Sequence, residues 1–204
     1  MYLIDQRVLG FIILAMWAAL LVVKQRATGP SFERPRGRLL LRFINTYNLL
    51  FLLVVNPIIA VLLIARRVRI TGQGSDGAEI PWIQAVPEVA GLVFFVGGFL
   101  LMMWAFHALG RNFQLGGIAA RSRDEMVTDG PYAFIRHPMY AAALGISLGL
   151  PLMVRSWALI AVFCGYLVLI LLLMPVEEDG LLKAYHERYA AYGRGTGKLI
   201  PRIF

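Results

Sequence analysis

The chain has 204 residues, of which 59% are hydrophobic and only 16% charged, with a formal net charge of +8 and a mean hydropathy of +0.68. A soluble domain carries charge at about a quarter of its positions and breaks its apolar runs with polar helix faces, so this composition excludes a water-soluble globule and describes a polytopic membrane protein. The basic excess does not point to nucleic acid, because the lysines and arginines flank apolar runs instead of sharing one soluble face; attraction to the headgroups of membrane lipids accounts for them.

A hydrocarbon core needs about 20 apolar residues per helix. Residues 8–23, extended by 2–4, form the first predicted span, which lies too close to the N-terminus for a cleavable leader and is expected to be retained. Residues 43–65 form a second, with Asn45, Asn48 and Asn56 expected to bond to neighbouring helices. The stretch 70–87 reads as a flexible connector, with Glu88 beyond it in the same loop, and 89–106 is the third span. Residues 139–154 and 157–176 make the fourth and fifth, joined only by Arg155-Ser156. So short a connection forces an antiparallel hairpin, which places Arg136 and Glu178 on the same side of the membrane. Gly145-x-x-x-Gly149 is a close-packing motif, and the single Cys164 reads as a small buried apolar residue that offers neither a disulfide nor a cysteine metal cluster. The expected fold is an all-α bundle of five transmembrane helices in one domain, 1–204, with 1–86 forming the N-terminal pair and connector.

Charge bias gives an expected orientation. The stretch after the first span, the stretch after the third and the tail hold all the basic residues except Arg7, Arg66, Arg67, Arg69 and Arg155. That pattern places the N-terminus outside and the C-terminus in the cytoplasm.

The chemistry-bearing residues sit at the two ends of the last hairpin. Thr128-Asp129-Gly130-Pro131-Tyr132 has turn chemistry, and Pro138 suits the first turn of a helix. The helix that follows starts beside Arg136 and His137, and its N-terminal amides and dipole, together with Arg136, make a natural anion site. At the other end Glu177 and Glu178 offer acceptors for a cationic amine or for ribose hydroxyls. Ionisable groups at a membrane edge are costly unless they face protein, water or a ligand. His107 and His186 read as structural or solvent-facing.

The string Gly130-x-Tyr132-x-x-x-Arg136-His137-Pro138-x-Tyr140, followed by Glu177-Glu178-x-x-Leu181 and by the tail Tyr189-x-x-Tyr192-x-x-x-Thr196-x-Lys198-x-Ile200-Pro201, resembles the isoprenylcysteine carboxyl methyltransferase family and the related phospholipid N-methyltransferases. The likeness runs over residues 104–204 and includes Ala108-Leu109-Gly110-Arg111-Asn112-Phe113. It implies a methyltransferase core at 87–204 that uses S-adenosylmethionine without a Rossmann domain, in keeping with the absence of a G-x-G-x-x-G between strand and helix. It also implies cofactor contacts from His137, Tyr140, Glu177 and Glu178, a pocket supported by Tyr132 and Arg136, and no metal. Its acceptor would be a lipid-like or prenylated molecule. A carboxylate acceptor needs a cation to hold it, for which Arg111, Arg194 and Lys198 are the candidates; an amine acceptor needs a base such as Glu178 or His186. Ala142 stands where the family often has glycine, and Gly195 beside Arg194 stands where its prenyl-protein members carry arginine. Both departures bear on the acceptor. Membrane steroid and sterol reductases, which use NADPH, share Arg-His-Pro-x-Tyr but place asparagine before the tyrosine and an acid soon after it; Met139 and Ala142 or Ala143 occupy those positions, and the acidic pair with Leu181 sides with methyl transfer.

Overall fold

The computed structural model describes residues 4–29, 39–67, 81–113 and 125–201. Among the described residues seven α-helices follow one another: α1 (Gln6–Thr28), α2 (Leu39–Leu50), α3 (Asn56–Ile64), α4 (Pro81–Leu109), α5 (Pro138–Val154), α6 (Trp157–Tyr185) and α7 (Glu187–Gly195). Four stretches are long and apolar enough to cross a bilayer: 6–28, 46–64, 85–112 and 157–185. The fifth apolar helix, α5, has 17 residues, about 25 Å of rise and the lower limit for a span. The protein is a multi-pass bundle of membrane helices.

The second span is not a uniform α-helix. A π-helical turn at Phe51–Val55 joins α2 to α3, immediately before Pro57, whose ring cannot accommodate the regular i−4 carbonyl and whose missing N–H interrupts the ladder. Asn56 Nδ2 donates to Phe51 O at 2.7 Å. Asn56 therefore mends its own helix, contrary to the expectation of an interhelical bond, whereas Asn48 does bond across, accepting from the Tyr166 hydroxyl on α6. The side chain of Asn45 lies outside the described residues.

Lipid tails are as apolar as leucine, so membrane helices associate through close packing. Here α4 and α5 meet backbone to backbone. A Cβ at Gly149 would sit 2.6 Å from Gly91 O and Phe95 N, and one at Gly98 would sit 2.8 Å from Ala142 O and Ile146 N. The Gly145/Gly149 pair is therefore a packing motif, as expected, and it works with Gly91 and Gly98 on α4. Helix α1 packs on α3 and α4, and α6 packs on α5 and α2. The outer faces, with Phe11, Val93, Leu100, Val168 and Leu172, are exposed, as lipid-facing surfaces should be. Cys164 is also exposed, not buried: its face of α6 points away from α5 and α2.

The two ends of the bundle differ. At one end, Asp5 pairs with Arg66 at 2.8 Å. Close by, Glu88 accepts from Ile4 N at 2.7 Å and lies 3.9 Å from Arg155. The sequence assigns Glu88 to a loop; it is instead a fully buried residue of α4, because α4 begins at Pro81 and extends well beyond the apolar core of its span. Arg155 turns the hairpin in the left-handed region, at φ 51°, and Ser156 caps α6 by accepting from Leu159 N. At the opposite end, α6 with its 29 residues is about 44 Å long, more than the roughly 30 Å core requires. Its last turns emerge and carry Glu177 and Glu178 to the start of α5.

Candidate functional site

The site begins at a 3₁₀ turn, Gly130–Ala133. Gly130 has φ 58°, a conformation that disfavours any side chain, and a Cβ there would meet Ala108 Cβ at 3.0 Å and Trp104 Nε1 at 3.3 Å. The turn is thereby seated on the end of α4. Pro138 then opens α5 with His137 as its N-cap, and α5 leads away from the site into the membrane.

The last hairpin brings its two charged ends together. Arg136 Nε donates to Glu178 Oε1 at 2.8 Å, and the Tyr140 hydroxyl donates to Glu177 Oε2 at 2.7 Å. His137 stacks on Tyr140 with ring centroids 5.5 Å apart. Its Nε2 is 3.5 Å from Glu178 Oε1 and its Nδ1 3.9 Å from Glu177 Oε2. The imidazole side chain is only 4% exposed, and among the described residues the buried Nε2 has that 3.5 Å approach to Glu178 in place of a well-formed hydrogen bond. A buried polar atom without a well-formed bond is the kind of group that a ligand satisfies.

The tail folds back over this cluster. His186, at φ 49°, reverses the chain between α6 and α7. Arg136 Nη1 donates to Gly193 O at 2.7 Å and to Thr196 O at 2.6 Å. A short parallel bridge joins Ile135 to Gly197, with Arg136 N donating to Gly197 O at 2.8 Å and His137 N to Lys198 O at 3.0 Å. The Tyr192 hydroxyl donates to Tyr132 O at 2.6 Å. Burial pushes the Tyr192 hydroxyl up to about 12. Burial, reinforced by the neighbouring glutamates, raises those of Tyr132 and Tyr189 as well. All three phenols therefore stay protonated near neutral pH.

Of the three basic residues considered for the acceptor, Lys198 joins the cluster, its Nζ 3.3 Å from Glu178 Oε2. Arg194 is exposed on α7, and Arg111 is exposed on the 3₁₀ turn after α4, which packs against α1. Neither makes an ion pair among the described residues. His107 and His186 are exposed. Sequence reasoning passed over the carbonyls of Gly193, Thr196 and Gly197, which hold the tail in place. The alternating glycines 193, 195 and 197 were the available signal, since they permit a close backbone approach.

Comparison with known proteins places this arrangement. A sequence model of the phospholipid methyltransferase family matches residues 86–188, half of the chain, from within α4 through the acidic pair to the start of α7. Over 86 residues the chain is 35% identical to the cobalt-zinc-cadmium resistance protein CzcN of Cupriavidus metallidurans and 33% identical to the nickel-cobalt-cadmium resistance protein NccN of Alcaligenes xylosoxydans xylosoxydans. Each alignment covers 42% of this chain and 40% of the relative, so the chain spans well under half the length of the curated relatives it matches. Among solved structures, the fold is similar to that of the eukaryotic intramembrane Ras methyltransferase ICMT (isoprenylcysteine carboxyl methyltransferase), with a TM-score of 0.54 and 20% identity, covering 95% of this chain and 63% of that one. The hairpin with its paired charged ends thus falls within the matched segment, and the chain belongs to the phospholipid methyltransferase family.

Proposed function

We propose that the protein is an S-adenosylmethionine-dependent methyltransferase that modifies a lipid-like acceptor at the membrane edge, with residues 87–204 carrying the chemistry. The observation that carries this reading is the joining of Arg136, His137 and Tyr140 to Glu177 and Glu178 under the returning tail. The residues fit the cofactor: two partly exposed carboxylates suit a ligand bearing a sulfonium and an ammonium, and the buried His137 Nε2 has no well-formed hydrogen bond among the described residues, only a 3.5 Å approach to Glu178. When bound, S-adenosylmethionine supplies an activated methyl group and a neutral thioether leaving group. The protein's part is alignment and exclusion of water. Glu177 is oriented by the Tyr140 hydroxyl, Glu178 by Arg136, and the tail covers both.

An acceptor carboxylate, as in an isoprenylcysteine-like molecule, attacks the methyl carbon without prior loss of a proton and needs only a cation to hold it, supplied by Lys198, Arg194 or Arg111. The family's description favours a second acceptor, a phospholipid amine, which must be neutral at attack and would use Glu178 or His186 as base. Both enter laterally from the bilayer, where each buried methylene contributes about 0.8 kcal/mol. Turnover is therefore expected to rise with acyl or prenyl chain length in a homologous acceptor series. Equal turnover of short, water-soluble analogues would argue for a cytosolic substrate.

The decisive experiment is ligand-induced thermal stabilisation of the purified protein. S-adenosylhomocysteine at about a hundred times its Kd should add about 2.7 kcal/mol of stability, with NADPH without effect. Stabilisation by NADPH alone would make the protein a reductase.

The site end of the bundle is proposed to face the cytoplasm and the Asp5/Arg66 end the exterior. In a Cys164→Ala background, cysteines replacing Gln25, Thr128 and Glu187 should resist an impermeant thiol reagent in intact cells, while one replacing Arg67 reacts. The reverse pattern would invert the orientation.

A further inference from the structure

We propose that Arg136 is a positioning residue, the latch that holds the tail segment 187–200 closed over the acidic pair, and that its guanidinium is committed to the protein and not to a ligand anion. This rests on the reading of the site as a cofactor pocket.

The side chain is only 11% exposed, and its Nε and Nη1 donors already have partners. Nε meets Glu178 on α6, while Nη1 meets the carbonyls of Gly193 and Thr196. Those two carbonyls lie at the C-terminal end of α7, where the last turn has no helical N–H to accept from. A cation there caps the helix and opposes the negative end of its dipole. The planar fork of arginine can face a carboxylate on one edge and carbonyls on another at once, which a lysine ammonium on a flexible stem cannot do with the same geometry.

The remaining ties depend on where that latch sets the tail. With α7 held, Gly197 reaches Ile135 and the Lys198 carbonyl accepts from His137 N. The same placement delivers Lys198 Nζ to 3.3 Å from Glu178 Oε2. Beyond Arg136, the side-chain ties include the Tyr192 bond to Tyr132 O and the ion pair of Lys198 with Glu178. The left-handed backbone at His186 stores local strain that closure must outweigh. A segment held over a nearly enclosed imidazole chiefly by polar ties is suited to open for cofactor exchange and to close for reaction.

The test is limited trypsin digestion of the full-length purified protein, read at the exposed Arg188 and Arg194, with Arg136→Gln, Arg136→Lys and Tyr192→Phe beside the wild type. Tail cleavage without ligand should quicken at least about ten-fold in Arg136→Gln, the shift expected when a charge-assisted hydrogen bond is lost. Arg136→Lys should be intermediate. Tyr192→Phe leaves the latch intact and should quicken cleavage less than Arg136→Gln; it also reports on tail opening if the arginine variants fail to fold. S-adenosylhomocysteine should slow cleavage of the wild type, and in Arg136→Lys the loss should fall on cofactor KM more than on kcat. Cleavage at the wild-type rate in Arg136→Gln, with cofactor affinity reduced, would overturn the latch and make Arg136 a direct ligand contact. Faster cleavage in Arg136→Gln, with no binding of S-adenosylhomocysteine to the wild type, would support the latch and remove the methyltransferase reading.

Discussion

Replacing Glu178 with alanine is expected to weaken S-adenosylhomocysteine binding by about 1.5 to 3 kcal/mol, the range for a hydrogen bond to a charged group, and so raise Kd by roughly ten- to a hundredfold or somewhat more. Glu178 is the hub of the cluster. Arg136 Nε lies 2.8 Å from one carboxylate oxygen and His137 Nε2 3.5 Å from the same one, while Lys198 Nζ is 3.3 Å from the other. Its removal takes away a ligand acceptor and also leaves Arg136, largely buried, without a counter-charge, which is destabilising in its own right. Glu178→Gln separates these effects, since the amide keeps one acceptor oxygen but no charge. Isothermal titration of both variants measures the outcome. Wild-type affinity in Glu178→Ala and in Glu177→Ala alike would move the cofactor site away from this end of the bundle.

The second large effect is expected far from the chemistry. Gly149→Leu should lower stability by about 1 to 3 kcal/mol or more, the usual penalty for overpacking, because the added Cβ alone would lie 2.6 Å from Gly91 O and Phe95 N. Backbone atoms of a packed helix cannot swing aside as a flexible side chain can. Even Gly149→Ala should separate α4 from α5. Since α5 carries Tyr140 at one end and the Gly130 turn rests on α4, the separation should also reduce turnover. Gly97 and Gly165, where an added Cβ meets nothing within 4 Å, are the controls, and their alanine variants should melt with the wild type. Thermal melting in detergent decides: an unchanged midpoint in Gly149→Ala would mean that the two helices do not meet at this distance.

Much of this was legible along the chain. Apolar runs about 20 residues long specify membrane helices, because in hydrocarbon the backbone must satisfy its own hydrogen bonds. The two residues Arg155-Ser156 leave the last hairpin no alternative to antiparallel packing, so the placement of Arg136 and Glu178 on the same side of the membrane followed from length and order alone. The Gly145/Gly149 spacing announced a close contact. Those properties are local, or depend on a connection so short that it is almost local.

The tertiary structure decided what depended on partners distant in sequence. Glu88 read as a loop residue because it is charged, but Ile4 N and Arg155 make its burial within α4 tolerable. Cys164 read as buried because it is small, and it is exposed because no helix among the described residues covers it. Asn56 turned to its own helix because the π-helical turn before Pro57 placed the Phe51 carbonyl within reach. Arg111, Arg194 and Lys198 were equivalent as charges. Only the reversal at His186 and the bridge of Gly197 to Ile135 brought Lys198 to the cluster, while Arg194 on α7 and Arg111 on the turn after α4 are exposed. Hydrophobic patterning selects the elements and their membrane depth. Which polar groups meet is settled by a few hydrogen bonds between segments some 60 residues apart, such as Arg136 with Thr196 and Tyr132 with Tyr192, and no local property of either segment encodes the other.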